Sequence, residues 1–218
     1  MSRSTRVAVQ SQKGGVGKST ICRALASAYA KADWRVLIAD MDIHQTTSSN
    51  WYQRRLQGGI EPVIDVQTFG TANQAMRLVD AYDAVFFDGG PQATRTTADI
   101  AKVSDLIILP TGLALDDLEP TAVLANTLVD KEGIDPARIV FALVKTSGSP
   151  AEQQQVRDYF AYTRFETLAG SIPEKPSLRQ AHDEGRSVIE ARYRQPREQA
   201  DELIQAAINK IESLGPRA

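Results

Sequence analysis

Residues 13–20 read Lys13-Gly14-Gly15-Val16-Gly17-Lys18-Ser19-Thr20, and they stand between the apolar run 7–9 and a stretch of helical periodicity, 20–31. Strand, glycine-rich loop and helix in that order are the context a phosphate-binding loop requires. Glycines let successive backbone N–H groups turn inward around phosphate oxygens, and the start of the helix adds the positive end of its dipole. On this reading the backbone of Gly14, Gly15, Val16 and Gly17 wraps the phosphates. Lys18 reaches the β- and γ-phosphates as a point charge, and the Ser19 hydroxyl is a ligand of Mg²⁺. Thr20 either contacts the α-phosphate or caps the helix.

Outward from this loop the chain alternates. Short apolar runs rich in Val, Ile and Phe recur at 7–9, 36–39, 63–66, 84–87, 106–109, 139–144 and 168–172. Helical periodicity fills 20–31, 74–81, 118–129, 152–162 and 198–211. Short apolar runs separated by helices predict buried parallel strands. The expected fold is α/β: a doubly wound, mostly parallel sheet of about seven strands flanked by helices. Its crossovers are right-handed and its site lies at the carboxyl ends of the strands. Pro110, Pro136, Pro150, Pro173 and Pro176 all fall at element edges. No repeat or low-complexity linker divides the chain, so 1–218 is expected to form one P-loop domain.

Two departures and three acids refine the loop. The ordinary motif carries a glycine six positions before its lysine; Gln12 stands there, and a second lysine, Lys13, lies just inside the loop. Asp40 and Asp42 close the second run in Leu37-Ile38-Ala39-Asp40-Met41-Asp42. Residues two apart at a strand end emerge on one side, so both carboxylates can face the phosphates. Asp88 ends the run 84–87 ahead of Gly89-Gly90-Pro91. An acid after a buried strand holds Mg²⁺ through a water, and glycines beside it let a switch loop approach and leave the γ-phosphate.

This set, a K-G-G-x-G-K-[ST]-T loop, a D-x-D after the second strand and a D-x-x-P at Asp88 and Pro91, resembles the deviant Walker A ATPases. That family holds the ParA partition proteins and the MinD-like proteins. The resemblance covers nearly the whole chain and is strongest up to Pro91. It implies that Lys13 reaches across a dimer interface to the nucleotide of a second copy. A second cation near the phosphates suits charge neutralisation in the transition state, as an arginine finger does. It implies that Asp42 positions or activates the attacking water, with Asp40 supporting it or holding a water of Mg²⁺. Lys13, Lys18 and Asp42 are therefore the catalytic candidates, and Ser19, Asp40 and Asp88 the metal candidates. Ile43-His44 replace the Pro-Gln usual in the family.

In the distal half, Ile172-Pro173 followed by Leu178, Ala181 and Gly185 is similar to the segment that contacts adenine in ParA-type proteins. The resemblance places Pro173 and Glu174 beside the base; an ordinary β–α loop with a helix-starting proline has the same residues. Lys145 stands where many relatives have an asparagine on the base, so adenine specificity rests on the resemblance. Arg179, Arg186, Arg192, Arg194 and Arg197 make a locally basic stretch. Partition ATPases of this family bind DNA non-specifically through such residues, for which cations suffice. A solvated face balanced by Glu184, Glu190 and Glu198 accounts for them equally well. The last helix spaces Ala200, Leu203, Ile204, Ala207, Ile208 and Ile211 on one face with polar residues opposite, a core-packing pattern and not a basic membrane-targeting one. Trp34, Trp51 and Cys22 read as packing residues.

Composition sets outer bounds. The chain has 218 residues, 42% hydrophobic and 24% charged, which is ordinary for a globular protein with a full core. Its net charge of −2 leaves nucleic-acid binding to a local patch. One cysteine excludes an internal disulfide and the cysteine set of an iron protein. No signal peptide is visible at residues 1–6 and no apolar run approaches a membrane span, so a cytoplasmic location is expected, and the resemblance implies association with the nucleoid.

The resemblance thus implies a partition ATPase of the short form, without a preceding helix-turn-helix. Its cofactors would be ATP and Mg²⁺. Its partners would be a second copy, non-specific DNA and a ParB-like or other small adaptor, with no membrane. Turnover would be weak until the adaptor stimulates it, and the cargo a plasmid or chromosome segment. Two rivals share the loop: a positioning ATPase for a protein cargo such as a microcompartment or chemotaxis cluster, and a metabolic P-loop enzyme whose Lys13 serves a substrate.

Overall fold

The computed structural model describes residues 3–43, 47–90 and 95–215. Among the described residues eight strands and eight α-helices follow one another as β1 (Thr5–Val9), α1 (Lys18–Lys31), β2 (Val36–Asp40), α2 (Thr47–Gln57), β3 (Asp65–Thr68), α3 (Ala72–Met76), β4 (Ala84–Asp88), α4 (Arg95–Val103), β5 (Leu106–Thr111), α5 (Leu115–Asp130), β6 (Ile139–Thr146), α6 (Pro150–Ala161), β7 (Glu166–Thr167), β8 (Ile172–Pro173), α7 (Pro176–Asp183) and α8 (Arg194–Leu214). The sheet runs β3-β2-β4-β1-β5-β6-β7, with β8 also on β6, and every pairing is parallel.

Period-2 alternation divides the core between the two faces. On β4, Ala84 and Phe86 join one apolar cluster with residues of α1 and α8, while Val85 and Phe87 join another with residues of α3, α4, α5 and α6. Both phenylalanines are fully buried, each contributing roughly 2–3 kcal/mol by removal from water. With polar neighbours on neither side, the central strands read as unbroken apolar runs, which is why sequence located them.

The structure departs from expectation where burial is partial or the buried residues are polar. The run 168–172 is not one strand: β7 and β8 flank Gly170, whose φ is 71°. A Cβ on Gly170 would lie 2.5 Å from the Leu203 nitrogen of α8, so the chain turns there on a residue without one. The strand expected at 63–66 begins instead at Asp65, on the sheet edge, and Val63 is exposed. The helix expected at 74–81 is the short α3 and a separate 3₁₀ turn at Val79–Ala81. Helix α2 left no apolar periodicity because its buried residues are Ser48, Trp51 and Arg55. Arg55 is paired in the interior with Glu190 at 2.9 Å. Helices α4 and α7 are short, each burying two apolar residues, too few for a periodic signal. Among the described residues no helix is long and apolar enough to cross a membrane.

Candidate functional site

Strand β1 delivers the chain to the carboxyl edge of the sheet, where residues 10–17 loop over into α1. Gly15 and Gly17 have φ of 69° and 102°, backbone that L side chains rarely adopt, so the curvature of the loop depends on them. Gly17 is also the N-cap of α1 and offers no side-chain cap, which leaves the first helical N–H groups facing outward. A cavity of about 460 Å³ opens above them. Gly14, Gly15, Gly17, Lys18, Ser19 and Thr20 line one end, with Asp40, Asp42, Asp88 and Gly89 beside them. Val16 faces the other way and packs its side chain into the core, so it offers the cavity no more than backbone.

The charged groups at this end are buried and mutually constrained. Lys18 is 7% exposed and donates from Nζ to the Lys13 carbonyl at 3.0 Å. Burial lowers its pKa, while Asp88 and Asp42 oppose that shift. Asp88 takes the Ser48 hydroxyl on Oδ2 at 2.7 Å, and the Ser19 hydroxyl stands beside its carboxylate. Its other oxygen, Oδ1, is buried with no hydrogen-bond partner among the described residues. Burial raises the Asp88 pKa and the two hydroxyls hold it back. Asp40 accepts from the Asp42 and Ser48 backbone N–H groups, each at 3.1 Å. It is nonetheless pushed up to about 6 by burial and by the neighbouring charge of Asp88. Two buried carboxylates pressing on one another, an orphaned carboxylate oxygen and a serine hydroxyl are a fitting donor set for a hard divalent cation. Among the described residues no three acids, histidines or cysteines form a metal site by themselves.

Lys13 takes no part in its own cavity. Its ammonium turns outward to form an ion pair with Asp117 in the first turn of α5, and lies 3.5 Å from the Asp116 carbonyl. That carbonyl lacks its usual helical donor because residue 120, four positions on, is proline. The hydrogen bond to Asp117 raises the Lys13 pKa. The two lysines of the loop thus serve different surroundings, Lys18 buried within the cavity and Lys13 exposed at its rim.

The far end of the cavity is lined by Val144, Lys145, Ile172, Pro173, Glu174, Leu178, Arg179 and His182. Pro173 is buried, whereas Lys145, Glu174 and Arg179 are exposed. Lys145 has φ of 53°, an uncommon conformation for its residue type.

Three further residues join the site that the sequence did not announce. Arg23, 4% exposed, lines the cavity from α1, one turn below Ser19. Its Nη2 donates to the Thr47 carbonyl at 2.6 Å, its Nε to the Ser48 hydroxyl at 3.4 Å, and its Nη1 lies 3.4 Å from His182 Nδ1. Ser48 in turn contacts both Asp40 and Asp88. The available signal was an arginine set among Ile21, Cys22, Ala24 and Leu25 in a helix whose other residues are mostly apolar. Burial with the charges of Arg23 and Arg54 lowers His182 to about 3, so it is neutral.

The basic stretch is largely compensated. Arg192 and Arg186 share Glu184 at 3.1 and 3.8 Å, Arg194 pairs with Glu198 at 2.6 Å, and Arg179 belongs to the cavity wall. Trp51 is fully buried between the Arg23 and Arg55 guanidinium groups, each 5.4 Å from its ring, and Cys22 is buried too. Trp34 is partly exposed and packs edge-on against Tyr29. His44 and Pro91 lie outside the described residues.

A family model described as the CobQ/CobB/MinD/ParA nucleotide binding domain matches residues 7–188. The chain is 28% identical over 213 residues to the maintenance of carboxysome distribution protein A of Gloeobacter kilaueensis, covering 89% of this chain and 93% of that one. It is 25% identical over 220 residues to the chromosome-partitioning ATPase Soj of Thermus thermophilus, covering 85% and 87%. Its fold is similar to that of the septum site-determining protein MinD complexed with Mg-ADP from Pyrococcus horikoshii, with a TM-score of 0.70, 18% identity, and 99% and 100% of the two chains covered.

Proposed function

The chain belongs to the CobQ/CobB/MinD/ParA nucleotide-binding family, and from that premise we propose that it is a partition ATPase that dimerises on ATP, binds DNA non-specifically and hydrolyses ATP when a cargo adaptor stimulates it. The observation that carries the reading is the division of labour between Lys18 and Lys13. Lys18 lies in the cavity, where it serves the chain's own β- and γ-phosphates. Lys13 stands at the exposed rim on an ion pair that another anion can replace. An ammonium so placed serves the nucleotide of a second copy docked over the cavity. ATP then acts as the adhesive of a dimer, because it binds the paired state better than the single one.

In this scheme Asp42 orients the attacking water, and Asp88, Ser19 and Asp40 provide the oxygen environment for Mg²⁺, which when bound neutralises phosphate charge. Pro173 and Glu174 border the nucleoside. The relatives named for chromosome partitioning and for carboxysome distribution support cargo movement over metabolism, and the second keeps a protein cargo as the alternative to DNA.

The test is a DNA mobility shift performed with ATP and with ADP, alongside sedimentation of the protein in each nucleotide. ATP-dependent dimers that retard DNA of unrelated sequences are expected. Absence of any ATP-dependent DNA binding would sink the partition reading, and a monomer in ATP would discard the switch altogether.

A further inference from the structure

Arg23 is a buried cation with no carboxylate within ion-pair distance among the described residues, and it sits in the wall of the nucleotide cavity. Burial of a charge is costly unless hydrogen bonds and nearby charge compensate it. Burial lowers its pKa to about 10, opposed chiefly by the charge of Asp88, so it remains a guanidinium. It therefore donates and never accepts.

That polarity orders its neighbours. Ser48 Oγ must accept from Arg23 Nε, so its single hydrogen is directed to Asp88 Oδ2. Asp88 is thereby held through Oδ2, and Oδ1, which has no hydrogen-bond partner among the described residues, is the oxygen left for a cation. The second bond of Arg23, to the Thr47 carbonyl, pins the first turn of α2. From that turn the Ser48 and Ser49 N–H groups donate to Asp40 Oδ2 at 3.1 and 3.4 Å. The third contact ties in α7 through His182. One guanidinium accordingly fixes both carboxylates at the phosphate end and reaches the helix at the nucleoside end.

We infer that Arg23 is the positioning residue of the Mg²⁺ site, orienting Asp88 through Ser48 and Asp40 through the first turn of α2. This rests on the reading of the cavity as a Mg²⁺–nucleotide site. Arg23 has no direct role toward the phosphates in this assignment, so its loss should weaken the metal's contribution and spare the nucleotide's own.

The experiment measures ADP binding by calorimetry across a Mg²⁺ titration and again in EDTA, for the full chain and for Arg23→Gln, Arg23→Lys and Ser48→Ala. Arg23→Gln is expected to raise the Mg²⁺ concentration for half-maximal enhancement about tenfold, the loss of a charged hydrogen bond, with EDTA binding changed less than about twofold. Ser48→Ala should show the same split, and Arg23→Lys, which keeps a donor cation, should recover most of the Mg²⁺ response. An unchanged Mg²⁺ requirement in both Arg23→Gln and Ser48→Ala overturns the inference. Equal weakening with and without Mg²⁺ also overturns it, since that is general loosening of the cavity. A parent chain that binds no ADP in either condition overturns the nucleotide reading itself, whereas normal parent binding with unsplit variants removes only the role of Arg23.

Discussion

The two ends of the cavity are built by opposite means. At the phosphate end, consecutive residues of one loop meet three acids from two strand ends, and Lys18, Asp40 and Asp88 are all buried. At the nucleoside end, segments around 144, 173 and 179 contribute long side chains of which Lys145, Glu174 and Arg179 remain exposed. Buried charges interact strongly and tolerate little displacement, while exposed ones are screened and mobile. On the nucleotide reading proposed above, the difference teaches that phosphate and metal would meet fixed groups, and the nucleoside mainly the shape and apolar surface of Pro173, Ile172 and Val144.

The largest expected effect divides the phosphate end itself. Lys13→Ala removes a side chain whose polar partners among the described residues are Asp116 and Asp117 of α5, so the chain should fold and bind ATP within about threefold of normal. Adaptor-stimulated turnover should fall about a thousandfold, the scale of a missing charge donor in phosphoryl transfer. Full stimulated turnover would show that Lys13 serves no second nucleotide. Lys18→Gln should instead weaken ATP and ADP binding about a hundredfold, measured by calorimetry, because it removes a buried ammonium from the phosphates. If that loss proved no greater than from changes at the nucleoside end, the contrast between the ends would fail.

His182 is the exception at the outer end, held neutral beside two arginines. Its folded-state pKa of about 3 lies below its ordinary value of 6.5, so the unfolded chain takes up the proton first. Stability from this group is therefore complete above pH 6.5 and is lost as the pH falls toward 3, by ~2 kcal/mol between pH 6.5 and 5. Urea unfolding of the parent and of His182→Gln at both pH values reads the difference; parallel pH dependence would remove this assignment. The smallest effect belongs to the exposed rim. Glu174→Ala should alter ATP affinity less than about threefold, as for a screened surface charge. A tenfold loss in a binding titration would mean that Glu174 is desolvated by the base.

Much of the central sheet was legible because its strands are buried on both faces and leave apolar runs. The loop was legible because phosphate chemistry needs glycines, a lysine and a hydroxyl at fixed spacing. The bounds of the edge strand β3, which lie two residues beyond the apolar run, and the helix α2 were not, since one lies half in water and the other buries Ser48 and Arg55. The same cause hid Arg23 and His182. A buried polar residue is indistinguishable in sequence from an exposed one until its partners, 25 and 159 positions away, are brought together.

The sequence by itself determined the α/β alternation, the phosphate loop and the acids that end β2 and β4, because each is a local pattern set by backbone geometry and short spacing. Only the tertiary structure decided which way each lysine points and which groups orient the carboxylates. Lys13 turns outward because Asp117 and the carbonyl left without a helical donor by Pro120 stand beside it, and Asp88 takes a hydroxyl from Ser48 of α2, which itself accepts from Arg23 of α1. Such contacts join residues that the sequence keeps far apart, and their energy arises only when folding removes the water between them.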